Sequence, residues 1–130
     1  MARELRRILY VEDEADIRTV AKMALEAVGG FEVVACASGE EALRLAPTAR
    51  ADLLLLDVMM PAMDGPSTLC ALRELPETAD TPVIFMTAKV QAAEIAEYLA
   101  LGALDVVSKP FDPMSVSEDI RRIWNRASGG

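Results

Sequence analysis

The sequence predicts an α/β fold, in which a doubly wound parallel sheet of five strands is covered by helices on both faces. Two observations lead to this prediction. Short apolar runs alternate with longer amphipathic segments along the chain, and the apolar runs are continuous instead of alternating with polar residues. Continuous apolar strands are typical of parallel sheets buried on both faces, and right-handed crossover helices connect such strands.

The first two strand–helix units occupy the N-terminal part of the chain. The run "RILYV" (7–11) predicts a buried strand, and the following segment 14–28 has apolar residues at helical spacing. Gly29 and Gly30 end this helix. The run "FEVVACA" (31–37) predicts the second strand, and Ser38 with Glu41 three residues later predicts a capping box at the start of the second helix.

The remaining three units follow without a linker, a repeat or a low-complexity segment. We therefore expect one domain over residues 1–130, with a core at about 6–126 and a C-terminal tail at 127–130. The strands are predicted at "LLLL" (53–56), "PVIFM" (82–86) and "DVVS" (105–108), and the helices at "PSTLCALREL" (66–75), "QAAEIAEYLALG" (91–102, ended by Gly102) and Pro113 to Arg126.

Composition excludes several classes of function. The chain has 21 acidic and 13 basic residues and a net charge of −8, which argues against direct binding of nucleic acid. No apolar run approaches the ~20 residues of a membrane span, and the N-terminus does not resemble a signal peptide, so we expect a cytoplasmic protein without membrane contact. Histidine is absent, which excludes imidazole-based catalysis and imidazole metal ligands.

Polar residues follow four of the predicted strands, where ligands bind in doubly wound folds. Glu12 and Asp13 follow the first strand, Asp57 the third, Thr87 the fourth and Lys109 the fifth. Taken singly, the acids can cap a helix or begin a turn, the threonine can be an ordinary strand residue, and the lysine can lie on the surface. Because all of them fall at the same edge of the sheet, a functional site explains them better.

Electrostatics favours a cation at this edge. Two carboxylates ~4 Å apart repel each other by about 4 kcal/mol at an effective dielectric near 20. Lys109 supplies one positive charge for three acids, and Mg²⁺ is the hard, oxygen-preferring ion that best supplies the rest. Asp57 can then attack phosphorus and form an acyl phosphate, while Lys109 and the hydroxyl of Thr87 stabilise the phosphoryl oxygens.

The motifs "VEDE", "LLLLDVMMPAMDG", "FMTAK" and "SKPF" resemble, in this order and spacing, the receiver domain of two-component response regulators. The resemblance covers essentially the whole chain and implies a single-domain, CheY-like protein with strand order 2-1-3-4-5 and five helices. It implies that a histidine kinase or a histidine phosphotransfer protein phosphorylates Asp57. It further implies a cis peptide bond at Lys109–Pro110 and a protein that catalyses only its own phosphorylation and dephosphorylation. The resemblance also implies that Asp13 and Asp57 bind Mg²⁺ directly, that Glu12 binds it through water, and that Met59 contributes its backbone carbonyl.

The resemblance also assigns the residues around the phosphoryl group. Thr87, Lys109 and the backbone N–H of Ala88 would contact it, while Met59 and Lys89 would tune the phosphate lifetime. The aromatic residue that often lies three positions before the lysine is replaced here by Val106, so the usual aromatic switch is absent. The family's common partner face is formed by the fourth helix, the fifth strand and the fifth helix, and it would also allow a homodimer; its candidate exposed apolar contacts are Val90, Tyr98, Val106 and Phe111.

Two alternatives to a phosphorylated signalling protein remain open at this point. An aspartate-nucleophile phosphatase of the haloacid dehalogenase kind needs a second acid two residues after the nucleophile, where this chain has Met59. A receiver fold that only binds a partner and never accepts phosphate is the other alternative. The complete set of acids, threonine and lysine argues against it, whereas Val106 is compatible with it.

Overall fold

A computed structural model describes residues 4–128, in which five strands alternate with five helices. The strands pair in parallel in the order β2-β1-β3-β4-β5, so the predicted fold class and strand order are confirmed. In chain order the elements are β1 (Arg7–Val11), α1 (Ala15–Ala27), β2 (Glu32–Cys36), α2 (Gly39–Ala49), β3 (Leu53–Asp57), α3 (Gly65–Leu72), β4 (Val83–Thr87), α4 (Ala92–Ala100), β5 (Asp105–Ser108) and α5 (Val116–Ala127).

The helices divide between the two faces of the sheet and enclose two apolar clusters. One cluster joins the sheet to α1 and α5, and the other joins it to α2, α3 and α4. The central strands β3 and β4 are buried along their whole length, since both of their faces are covered. This burial explains why their sequences are continuous apolar runs instead of alternating patterns.

Several element boundaries differ from the prediction by a few residues. β3 extends one residue further, and β4 begins and ends one residue later, so that Asp57 and Thr87 are the last residues of their strands. α3 ends at Leu72 instead of residue 75. α5 begins at Val116 instead of Pro113, because the backbone and side chain of Asp112 hold residues 112–116 in a turn. The predicted tail at 127–130 begins inside α5, and residues 129–130 lie outside the described part of the chain.

The start of α2 differs from the predicted capping box in one contact. The hydroxyl of Ser38 accepts a hydrogen bond from the backbone N–H of Glu41 at 3.1 Å, as predicted. The Glu41 carboxylate, however, accepts from the backbone N–H of Ala37, one residue before the cap. After α1, Gly30 adopts a positive φ of 73°, which glycine tolerates at the end of a helix.

Tyr98 is not the exposed contact that the sequence suggested. Its side chain is buried, and its ring packs on that of Phe85 in β4. Val106 and Phe111 are partly buried, whereas Val90 is 39% exposed. Within residues 4–128, no helix has the length and apolar character needed to cross a membrane.

Candidate functional site

Three carboxylates converge at the C-terminal edge of the sheet. Glu12 follows β1 directly and is fully buried, Asp13 is half-buried, and Asp57 ends β3 with 2% of its surface exposed. One oxygen from each of the three carboxylates lies within 4.8 Å of the others. Because β1 and β3 are neighbours in the sheet, their ends deliver these acids to a single point. This arrangement offers several hard oxygen donors to a divalent cation.

Lys109 follows β5 and contributes an ammonium group to the same edge of the sheet. Its Nζ lies 2.8 Å from Oε1 of Glu12 and 3.3 Å from Oδ1 of Asp57. The peptide bond between Lys109 and Pro110 is cis, and the Lys109 backbone N–H donates to the carbonyl of Thr87 at 3.0 Å. The end of β5 is thereby tied to the end of β4, and the lysine is directed across β4 toward the acids.

Burial and mutual repulsion perturb the ionisation of this cluster. Burial, followed by the negative charge of Glu12, raises the pKa of Asp57 to about 7, although Lys109 acts in the opposite direction. For Lys109, burial disfavours the ammonium form, but hydrogen bonding to Glu12 and the charges of both acids outweigh it and hold the pKa above its usual value. The site therefore carries more negative charge than one lysine can stabilise.

The loop after β4 contains the other residues predicted from the sequence. Thr87 is buried, and its hydroxyl accepts a hydrogen bond from the backbone N–H of Lys89 at 3.0 Å. Ala88 and Lys89 are exposed. Met59, two residues after Asp57, is 59% exposed in the loop after β3. These residues surround the acids but make no side-chain contact with them that compares with the Lys109 ion pairs.

The backbone behind Asp57 is held by a close approach of the loop after β3. The backbone N–H of Val58 donates to the carbonyl of Met86, and that of Gly65 donates to the carbonyl of Val58. A Cβ at Gly65 would lie 2.6 Å from the carbonyl oxygen of Asp57. A side chain at position 65 would collide with this backbone, so glycine is required where α3 begins.

The sequence as a whole matches a known family. A profile of the response regulator receiver domain matches residues 8–121. This chain belongs to that family. The receiver domain is 40% identical over 121 residues to "Probable transcriptional regulator ycf27" of Cyanophora paradoxa, covering 93% of this chain and 49% of the relative. It thus spans about half the length of the curated relatives it matches.

Solved structures of similar sequence have the same fold. The chemotaxis protein CheY4 of Vibrio cholerae superposes with a TM-score of 0.83 at 32% identity, covering 92% of this receiver domain and 99% of that chain. The receiver domain of the sensor histidine kinase PA1611 from Pseudomonas aeruginosa PAO1 superposes with a TM-score of 0.78 at 30% identity, covering 98% and 100% of the two chains. That structure has a magnesium ion coordinated in its active site cleft.

Two residues next to the acids were missed by the sequence reasoning. The guanidinium of Arg18 in α1 donates to the backbone carbonyl of Glu12 at 2.8 Å and so holds the strand end that carries the acids. Tyr10 lies two residues before Glu12 on the same face of β1, and its buried hydroxyl has no hydrogen-bond partner among residues 4–128. Burial, and then the charges of Glu12 and Asp57, raise the pKa of Tyr10. Both residues are close to Glu12 in sequence, so the alternation of side chains along β1 and the position of Arg18 near the start of α1 were local signals that could have found them.

Proposed function

We propose that this receiver domain is a response regulator of a two-component system, in which Asp57 accepts a phosphoryl group in a Mg²⁺-dependent reaction. The observation that carries this proposal is the ion-pair geometry: one ammonium, that of Lys109, lies within 3.3 Å of both Glu12 and Asp57. Structural ion pairs usually match charges one to one. Here a buried acid cluster exceeds its cation, which is typical of a site that binds further positive charge.

The donor set fits a magnesium ion. Glu12, Asp13 and Asp57 offer only carboxylate oxygens, which are hard ligands, and no soft or imidazole donor is present among them. In the proposal Asp13 and Asp57 bind the ion directly, Glu12 binds through water, and Met59 contributes its backbone carbonyl. When bound, the ion neutralises charge on the cluster and on the phosphoryl oxygens. The magnesium in the related PA1611 receiver domain supports this assignment.

The chemistry at Asp57 follows from the residues around it. A carboxylate oxygen of Asp57 attacks phosphorus in line with the leaving group, the bond from phosphorus to the donor imidazole nitrogen breaks, and an acyl phosphate forms. Lys109 stabilises one phosphoryl oxygen through its ammonium, since its amine already faces Asp57. The hydroxyl of Thr87 and the backbone N–H of Ala88 contact another oxygen, while Met59 and Lys89 flank the phosphoryl site and tune the phosphate lifetime.

Membership of the receiver-domain family supports a histidine kinase or a histidine phosphotransfer protein as the partner, in the cytoplasm where such proteins exchange phosphoryl groups. The absence of histidine from this chain agrees with this partner, since the donor imidazole would belong to it. Signalling then proceeds through protein–protein contacts, and the surface of α4, β5 and α5 can also support a homodimer. The domain boundaries that we propose are those of a single receiver domain over residues 1–130.

Intact mass spectrometry after incubation with acetyl phosphate and Mg²⁺ tests the proposal. We expect an adduct of about 80 Da, one phosphoryl group, which disappears in Asp57→Asn and when Mg²⁺ is chelated. Asp64→Asn is the matched control, because Asp64 is an exposed acid in the loop after β3 whose capping contact to Ser67 an asparagine can also make. Asp64→Asn should form the adduct as the unmodified chain does.

Two outcomes would contradict the proposal. The absence of an adduct with acetyl phosphate and with phosphorylated kinase would favour a receiver fold that acts only as a binding module. Turnover of p-nitrophenyl phosphate at enzyme-like rates would favour a phosphatase, although Met59 occupies the position where such an enzyme needs its second acid.

A further inference from the structure

The helix α4 buries fewer side chains than the other four helices. Among the residues of α4, only Tyr98 is buried, whereas Leu99 is 45% exposed. The other helices each bury at least three residues. A helix with so little buried surface opens more easily than its neighbours, because its local stability comes from few tertiary contacts.

The buried side chain of α4 makes an aromatic contact to β4, while the helix also packs against β5. The rings of Tyr98 and Phe85 have centroids 5.5 Å apart and an interplanar angle of 51°. Phe85 pairs in the sheet with Val106 of β5, and Val106 packs against the same apolar cluster. Val106 has no ring, and the ring that packs on Phe85 is that of Tyr98 in α4.

Phe85 is directly connected to the candidate phosphorylation site. It lies two residues before Thr87 on β4, so both side chains point to the same face of the sheet. Thr87 is 1% exposed, and its hydroxyl holds the backbone N–H of Lys89 in the loop that leads to α4. A displacement of Thr87 therefore acts on the strand segment on which Tyr98 rests.

We propose that Tyr98 is the switch residue of this domain, which couples the state of Thr87 to the stability of α4 through the ring of Phe85. This inference rests on the proposed phosphorylation of Asp57, since phosphorylation is the event that displaces Thr87. When Thr87 moves toward the phosphoryl group, the packing of the Tyr98 ring on Phe85 changes. The buried side chain of α4 then loses part of its contact with β4. The mobility of α4 therefore differs between the unphosphorylated and the phosphorylated domain.

Amide hydrogen exchange on the full chain, with and without acetyl phosphate and Mg²⁺, tests this coupling. In the unmodified chain, phosphorylation should lower the protection of peptides from α4 by about three- to tenfold and leave peptides from α5 unchanged. Tyr98→Leu keeps an apolar side chain but removes the ring, and it should reduce the response of α4 to less than about twofold. Tyr98→Phe keeps the ring and should retain the response.

The matched control is Leu99→Ala, which changes the neighbouring exposed residue of the same helix and should leave the response intact. The intact mass of each sample reports separately whether Asp57 carries the phosphoryl group. Adduct formation with an unresponsive α4, or with an equal response in Tyr98→Leu, would overturn the coupling and leave the proposed function standing. If neither the unmodified chain nor any of these variants formed the adduct, the proposed function would be refuted, and the coupling with it.

Discussion

Replacing Asp57 by asparagine should make the metal-free protein more stable at neutral and alkaline pH. The carboxyl is buried beside Glu12, and its pKa is raised from 3.8 to about 7 in the folded state. A group whose pKa is raised on folding contributes stability below its unfolded pKa and loses it as the pH rises through its folded pKa. The ionised carboxylate at position 57 therefore destabilises the native state, while an asparagine of the same shape does not.

The size of the effect follows from the shift. About three pKa units correspond to about 4 kcal/mol, and repacking around the site reduces this, so we expect a difference of about 2–4 kcal/mol at pH 8. The difference should shrink toward zero near pH 4, where the carboxyl of the unmodified chain is protonated. Lys109 keeps Glu12 as its partner at 2.8 Å in the variant, so no buried cation is left unpaired.

Urea unfolding in EDTA at several pH values between 4 and 8 measures this difference, with Asp64→Asn as the control for loss of an exposed acid. Asp64→Asn should show no comparable pH-dependent gain. If Asp57→Asn were less stable than the unmodified chain at pH 8, or if the difference did not vary with pH, the electrostatic account of the cluster would be refuted. Addition of Mg²⁺ should reduce the difference in free energy of unfolding between Asp57→Asn and the unmodified chain. A cation stabilises the unmodified chain more, because the variant lacks one of the three carboxylates.

Three further predictions concern the same site. Mg²⁺ should raise the melting temperature of the unmodified chain relative to EDTA, and identical melting curves would contradict cation binding. Lys109→Met should lower the yield of the phosphoryl adduct and, by leaving Glu12 and Asp57 without their cation, destabilise the metal-free protein by about 3 kcal/mol in urea unfolding. Gly65→Ala should cost about 1–3 kcal/mol in the same assay, because its Cβ would lie 2.6 Å from the carbonyl oxygen of Asp57; a neutral effect would show that the loop after β3 can move.

The sequence was sufficient to predict the fold and the meeting of the three acids with Lys109 at one edge of the sheet, but not the contacts among them. The apolar run before Asp57 identifies a buried strand because a parallel sheet buries both faces, and strand ends of one sheet must share an edge. The contact between Lys109 and Glu12 joins residues that are 97 positions apart in sequence. It depends on how the lysine side chain crosses β4. For α4, Ile95, Tyr98 and Leu99 are all apolar, so periodicity alone does not show that Tyr98 is the one residue of this helix that is buried.

The charge of the cluster constrains the order of events at the site. When Asp57 is ionised, as it must be to attack phosphorus, Glu12, Asp13 and Asp57 carry more negative charge than the ammonium of Lys109 offsets. An approaching phosphoryl group adds further negative charge, so its approach to Asp57 is opposed until a divalent cation has neutralised the acids. The proposed reaction therefore requires that Mg²⁺ binds before or together with the phosphodonor. It follows that the adduct yield at low Mg²⁺ should rise with Mg²⁺ concentration over the same range in which the melting temperature rises, since one binding event controls both.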